Sequence, residues 1–218
     1  GGSKTPDAPS NVPAMITISG TATERQLGST PAVQGATIEA YDNNAPTTVV
    51  AMTTTDAQGN YSLVVPTNGK PVDGFVKATK SGYMDTYLYA PAPLTADFSM
   101  ASINMLTPNT FGLLSGTLCG VSQATMGTIA VEVIDTNNAT VAGAMVSSSP
   151  AASKYCYDAG SPSYPNKSAT MTDSDGVAIM FNVTAGPVTV SATLSGATFK
   201  SHTVNAVAGA FTTTLITE

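Results

Sequence analysis

A short acidic turn closed by glycine occurs twice, and it limits this chain to few architectures. Thr55-Asp56-Ala57-Gln58-Gly59 runs into Asn60-Tyr61-Ser62-Leu63-Val64-Val65, and Thr172-Asp173-Ser174-Asp175-Gly176 runs into Val177-Ala178-Ile179-Met180-Phe181. Glycine takes positive φ without steric cost, and Asp or Asn bonds back to its own backbone, so each run predicts a turn delivering the chain into a strand. In the first strand Tyr61, Leu63 and Val65 alternate with Asn60, Ser62 and Val64, the period of a half-buried sheet.

The two turns are the centre of a longer correspondence. Thr55, Asp56 and Gly59 match Thr172, Asp173 and Gly176 at an offset of 117 (172 − 55), as do Thr67 and Gly69 with Thr184 and Gly186. Ser81-Gly82 matches Ser195-Gly196 at 114 (195 − 81), and Val33-x-Gly35-Ala36 matches Val141-x-Gly143-Ala144 at 108 (141 − 33). Shared order with small drifts predicts two copies of one supersecondary plan. The growth of the offset by nine (117 − 108) falls in a Ser-, Pro- and Tyr-rich insertion, 147–169. That length with no strand pattern reads as a long loop needing a staple.

Composition agrees with an all-β chain. Charged residues are only 10% of 218, while Thr, Ala, Ser, Val and Gly dominate, a mixture that suits pleated, half-buried surfaces. Short alternating runs punctuated by Gly, Pro and Asn predict tandem β-sandwiches. The boundaries read as a flexible tether over 1–11, a first sandwich over 12–101, a linker over 102–111 where Pro108 and Asn109 break the pattern, and a second sandwich over 112–218. Gly112–Cys119 is either an extra strand or the second sandwich's own first strand, and no helical period is predicted in the first half. Gly1-Gly2-Ser3 is either a cloning remnant or the start of an exported chain whose signal, ending at a lipidated cysteine, has been removed.

Net charge is −6 with eight scattered Lys and Arg, so no basic cluster exists to hold nucleic acid or an anionic membrane surface. Membrane contact is expected only through an N-terminal lipid anchor. Cys119 and Cys156 lie 37 positions apart without a second Cys or a His nearby. Metal ligation is therefore not predicted, and a disulfide is. It would stabilise the fold by about 4 kcal/mol through loop closure and would imply an oxidising compartment.

The motifs Val33-Gln34-Gly35-Ala36-Thr37-Ile38, Thr55-Asp56-Ala57-Gln58-Gly59-Asn60-Tyr61-Ser62-Leu63 and Lys80-Ser81-Gly82-Tyr83 resemble the carboxypeptidase regulatory-like domain, a transthyretin-like β-sandwich related in shape to immunoglobulin-like modules. The second copy resembles it through Val141-Ala142-Gly143-Ala144, Thr172-Asp173-Ser174-Asp175-Gly176 and Leu194-Ser195-Gly196. It departs from the pattern where Tyr61 and Tyr83 give way to Ala178 and Ala197, so Phe181 and Phe199 are expected to anchor its core. The resemblance implies an accessory module on a bacterial surface or lipoprotein, with no chemistry of its own.

Candidate chemistry is sparse. His202 is the single histidine and lacks nucleophile or metal partners, so an exposed strand residue is expected. Asp56, Asp173 and Asp175 offer too few oxygens for calcium and suit turns better. Tyr83, Tyr87 and Tyr89 share parity, as a core stripe or, if exposed, a sugar-stacking platform. Tyr155, Tyr157 and Tyr164 in the insertion are the strongest candidate ligand-binding group, for a carbohydrate or another small ligand. The nine Met residues form no Met-x-Met cluster for copper, and Met15–Thr21 holds no Lys for an isopeptide crosslink. No cofactor or metal is predicted and the chain is read as a non-enzyme: a spacer, adhesion or assembly module whose partners are a protein or glycan at the cell surface. Self-association through strand edges is expected as well.

Overall fold

The computed structural model describes residues 11–121 and 125–218; the tether expected over 1–11 lies, apart from Asn11, outside them. The first half contributes β1 (Met15–Glu24), β2 (Thr37–Asp42), β3 (Ala45–Thr54), β4 (Asn60–Pro66), β5 (Gly74–Thr79), β6 (Thr86–Tyr89) and β7 (Ile103–Met105). A short helix α1 (Pro108–Gly112) and a π-helical turn (Leu113–Leu118) follow. The second half holds β8 (Gly127–Ile134), β9 (Met145–Ser149), β10 (Lys154–Ala159), β11 (Tyr164–Asn166), β12 (Val177–Val183), β13 (Gly186–Thr193), β14 (His202–Ala206) and β15 (Phe211–Thr217). The chain is all-β, built of packed sheets.

Each half buries a sandwich core between two layers. In the first, β4-β1-β7 faces β3-β2-β5-β6 across Ile16, Ile18, Ile38, Leu63, Val65, Val76 and Ile103. In the second, β11-β10-β12-β8-β15 faces β14-β13-β9 across Ile129, Val131, Val146, Met180, Val188, Val190 and Val204. The pairings run in the same senses: β1 lies antiparallel to β4 and parallel to β7, and β8 lies antiparallel to β12 and parallel to β15.

The acidic turns are held by one set of hydrogen bonds in both halves. Thr55 Oγ1 donates to Val33 O and accepts from Ala36 N, while Thr55 N donates to Ala36 O and Thr55 O accepts from Gly35 N. Thr172 Oγ1 donates to Val141 O and accepts from Ala144 N, while Thr172 N donates to Ala144 O and Thr172 O accepts from Gly143 N. Gly59 and Gly176 have φ of 78° and 68°. A Cβ on either would run into a carbonyl oxygen, of Ala22 or of Val133, so glycine is required there for shape as well as conformation.

Three expectations need correction. The run 102–111 is not a plain linker: Ile103–Met105 is a strand on β1, Ile103, Met105 and Leu106 are buried, and Pro108 starts α1. Gly112–Cys119 is not a strand in either sense considered. It carries the end of α1 and the π-helical turn, with Leu114 buried, because Thr107 caps the helix by accepting Thr110 N–H and Pro108 at the first turn needs no N–H partner. The insertion 147–169 is not a structureless loop. It folds into β10 and β11, with β10 seated on the outer edge of β12 through Lys154↔Phe181, Tyr155↔Met180, Cys156↔Ile179 and Tyr157↔Ala178.

Candidate functional site

The feature that sets this molecule apart from two beads on a string is the seam between its halves. β15 pairs in parallel with β8 on one side and with β6 on the other, Phe211–Thr214 against Thr86–Tyr89. A layer of the first sandwich and a layer of the second thereby become one sheet of nine strands, ordered β11-β10-β12-β8-β15-β6-β5-β2-β3. Side chains reinforce it: Thr213 Oγ1 donates to Tyr87 O at 3.3 Å and Thr214 Oγ1 to Tyr89 O at 3.0 Å, and Phe211 N donates to Asp85 O.

Two groups brace the seam from outside the sheet. Arg25, just beyond β1, reaches the fully buried Asp158 on β10, Nη2 to Oδ2 at 2.5 Å. Burial raises the Asp158 carboxyl to about 6, against the pull of Arg25, and the neighbouring Asp175 carboxyl pushes it further up. Its Oδ1 has no hydrogen-bond donor among the described residues. Burial also raises Glu132, with Asp175 adding to the effect. The second brace is a small core of Leu106, Leu114, Cys119, Cys156, Ile179, Phe181 and Phe211, drawing on the connection, β10, β12 and β15. Cys119 and Cys156 are bonded, as the sequence leads one to expect, with Cα atoms 5.7 Å apart.

On the face of the joined sheet that lies away from the first core, and that the second half packs against β14-β13-β9, the strand register lines up Tyr41, Phe75 and Tyr89 in one row and Glu39, Lys77 and Tyr87 in the next. Tyr41 and Phe75 stack with ring centroids 5.0 Å apart and planes 13° from parallel, so they turn their faces to each other. Lys77 Nζ sits 5.5 Å over the Tyr87 ring and pairs with Asp85 at 2.8 Å. The row runs into a groove of about 950 Å³ where β14 approaches, lined by Tyr87, Pro91, Pro93, Pro187, Lys200 and His202 among others. His202 is half-buried rather than exposed. Its Nε2 meets Thr214 Oγ1 at 2.7 Å, and burial lowers its basicity.

Tyr155, Tyr157 and Tyr164 are not assembled as one exposed surface. Tyr157 is 5% exposed and its hydroxyl accepts Val146 N–H, filling the aromatic place in the second core. The Tyr155 hydroxyl accepts from Ser148 N and Ala152 N, tying β10 to the end of β9. Tyr164 is half-buried and lies near Gly28 of the first half. Tyr83 stands apart from Tyr87 and Tyr89: it precedes β6 and its hydroxyl donates to Glu24, which raises it to about 12.

The acidic turn residues spend their oxygens on backbone. Asp56 Oδ1 accepts from Gln58 N and Asn60 N, holding the carboxyl below its ordinary range. Asp173 accepts from Ser174 N and Gly160 N, and Asp175 from Val177 N. Among the described residues no three His, Cys, Asp or Glu side chains gather as a metal site, and no helix is long and apolar enough to cross a membrane.

The sequence matches no protein-family profile, and no curated protein matches it. Solved structures similar to this one include the Bacillus anthracis TIE protein, 10% identical, with 94% of this chain and 34% of that one covered and a TM-score of 0.32. This chain thus spans about a third of that protein's length. The shaft pilin SpaA from Lactobacillus rhamnosus GG is 12% identical, with 94% and 97% covered and a TM-score of 0.29. GBS52, the minor pilin of Streptococcus agalactiae, is 10% identical, with 93% and 96% covered and a TM-score of 0.29. At such identities and TM-scores the likeness carries no functional inference.

Proposed function

We propose that this chain is a rigid, non-enzymatic spacer or assembly module, exported to a bacterial cell surface or periplasm, and built from two copies of a carboxypeptidase regulatory-like sandwich. The observation that carries the reading is the nine-stranded sheet running through the seam. Domains joined by a linker bend, because interfaces within a chain are small and polar by default. Here the joint is a row of backbone hydrogen bonds between β6 and β15, and bending it would break them. Such a joint suits a part that must hold two ends at a fixed distance.

The disulfide supports export, since such bonds persist in oxidising compartments. The aromatic row supports a structural role over sugar stacking, because Tyr41 and Phe75 cover each other's faces and Lys77 covers Tyr87. The test has two arms. Small-angle scattering in solution is expected to match one rigid shape; a broad distribution of inter-half distances would overturn the spacer reading. On the native host, an antibody against the folded chain is expected to label intact cells or cells whose outer membrane alone has been opened, whereas labelling only after lysis to the cytosol would overturn export.

A further inference from the structure

Strand β4 has a bare outer edge, and the structure itself shows what such an edge accepts. Along β1, Ser19 N donates to Phe98 O, Phe98 N to Thr17 O and Ala101 N to Ser19 O, so Thr17 and Ser19 point their backbone groups away from β4. Ile16, Ile18 and Gly20 therefore point toward it and pair with Val65, Leu63 and Tyr61. Ser62 and Val64 are left with N–H and C=O directed outward, and both residues are exposed. Asn60 is closed off, since its N–H goes to Asp56 Oδ1 and its C=O accepts Asp56 N.

The positions 117 further on are Ile179 (62 + 117) and Phe181 (64 + 117). There the same outward groups of β12 are covered by β10, in register Ile179↔Cys156 and Phe181↔Lys154, and Ser153 N donates to Phe181 O at 3.1 Å. One half carries an added antiparallel strand at this edge, and the other half lacks it.

We infer that the β4 edge is a self-association site taking β4 of a second copy of this chain. Two copies related by a two-fold axis through Leu63 place Ser62 opposite Val64 of the other copy and satisfy all four free groups on each. Each copy carries −6, so a second copy can approach only where acid is sparse; Asp56, in the turn joining β3 and β4, is held on the Gln58 and Asn60 amides. Neither Ala45–Thr54 nor Asn60–Pro66, the two strands lining this side, contains a charged residue. Val64 itself is 55% exposed. β4 pairs with β1 over seven residues without a bulge, whereas β3 is broken by register shifts opposite Ala40, Tyr41 and Asp42; Pro66 at one end and the Asp56-capped Asn60 at the other confine the open edge to Ser62 and Val64.

The experiment is sedimentation velocity of the full chain from micromolar to millimolar concentration, with amide exchange read at Ser62 and Val64. A monomer–dimer equilibrium is expected, with exchange at those two amides slowed at least about tenfold at the dimeric end. Val64→Lys, on an exposed side chain, is expected to leave the circular dichroism and melting unchanged and to keep the protein monomeric by opposing like charges across the axis. A monomer at every concentration overturns the inference, as does a dimer in which those amides stay unprotected or which survives Val64→Lys. A rigid monomer would remove this edge while leaving the spacer reading intact; a flexible dimer would do the reverse.

Discussion

Thr55 and Thr172 each use one hydroxyl to serve two backbone groups, donating to a carbonyl and accepting an amide in a buried setting. Replacing the hydroxyl with methyl keeps the shape and strands both groups. Thr55→Val and Thr172→Val are each expected to lower stability by roughly 2 kcal/mol, since an unpaired buried polar group costs about 1–3 kcal/mol. Thr→Ser at the same places is expected to keep most of it. Urea midpoints at constant slope check this, and a valine variant as stable as the parent would contradict it. Asp158 makes the opposite kind of statement. Its carboxyl is raised in the fold, to about 6 from 3.8, so the folded chain binds a proton more readily than the unfolded chain. Its contribution is present below the ordinary carboxylate value and is lost as pH climbs through about 6. Asp158→Asn is expected to gain on the parent from pH 4 to pH 7 in thermal melts. Parallel profiles would show that Arg25 already compensates the buried charge.

The elements differ in how openly the sequence declares them. The hairpins at Asp56 and Asp173 are legible because acidic and glycine residues at fixed offsets leave few other conformations. β7 is short, and its alternation of Ala101, Ile103 and Met105 spans too few residues to outweigh the break that Pro108 and Asn109 impose on the pattern. That Pro begins a helix, where its missing N–H costs nothing. The π-helical turn was not legible: Gly112, Gly116 and Thr117 are poor helix formers, and what holds it is tertiary, Leu114 in a shared core and Cys119 bonded to β10. In the insertion, Pro and Ser suggested loop, while the pairing of Tyr155 and Tyr157 with β12 is a long-range event that local composition does not reveal. If the disulfide is what ties the helical connection to β10, then reduction, or the pair Cys119→Ala and Cys156→Ala, is expected to cost about 4 kcal/mol from loop closure. Loss below 1 kcal/mol would mean that Leu106, Leu114 and Phe181 suffice.

At the scale of the whole molecule the informative event joins residues 86–89 to 211–214, more than a hundred positions apart. Neither strand differs in sequence from an ordinary one, so the seam was invisible before the structure, although the all-β class was plain. Its consequence is cooperativity. Two sandwiches on a free linker melt in two steps, whereas two sandwiches sharing a sheet, a disulfide-braced core and the Arg25–Asp158 pair are expected to melt in one. Thr214→Val removes the hydroxyl that donates to Tyr89 O and meets His202, and is expected to lower that single transition by a few degrees.

Native-state hydrogen exchange along β6 and β15 tests the seam most directly. If the halves form one body, the amides joining β15 to β6 exchange only through the opening that also releases the core amides of β1 and β8, with the same free energy. If those seam amides exchange freely while β1 and β8 remain protected, the two halves are separate units that merely touch.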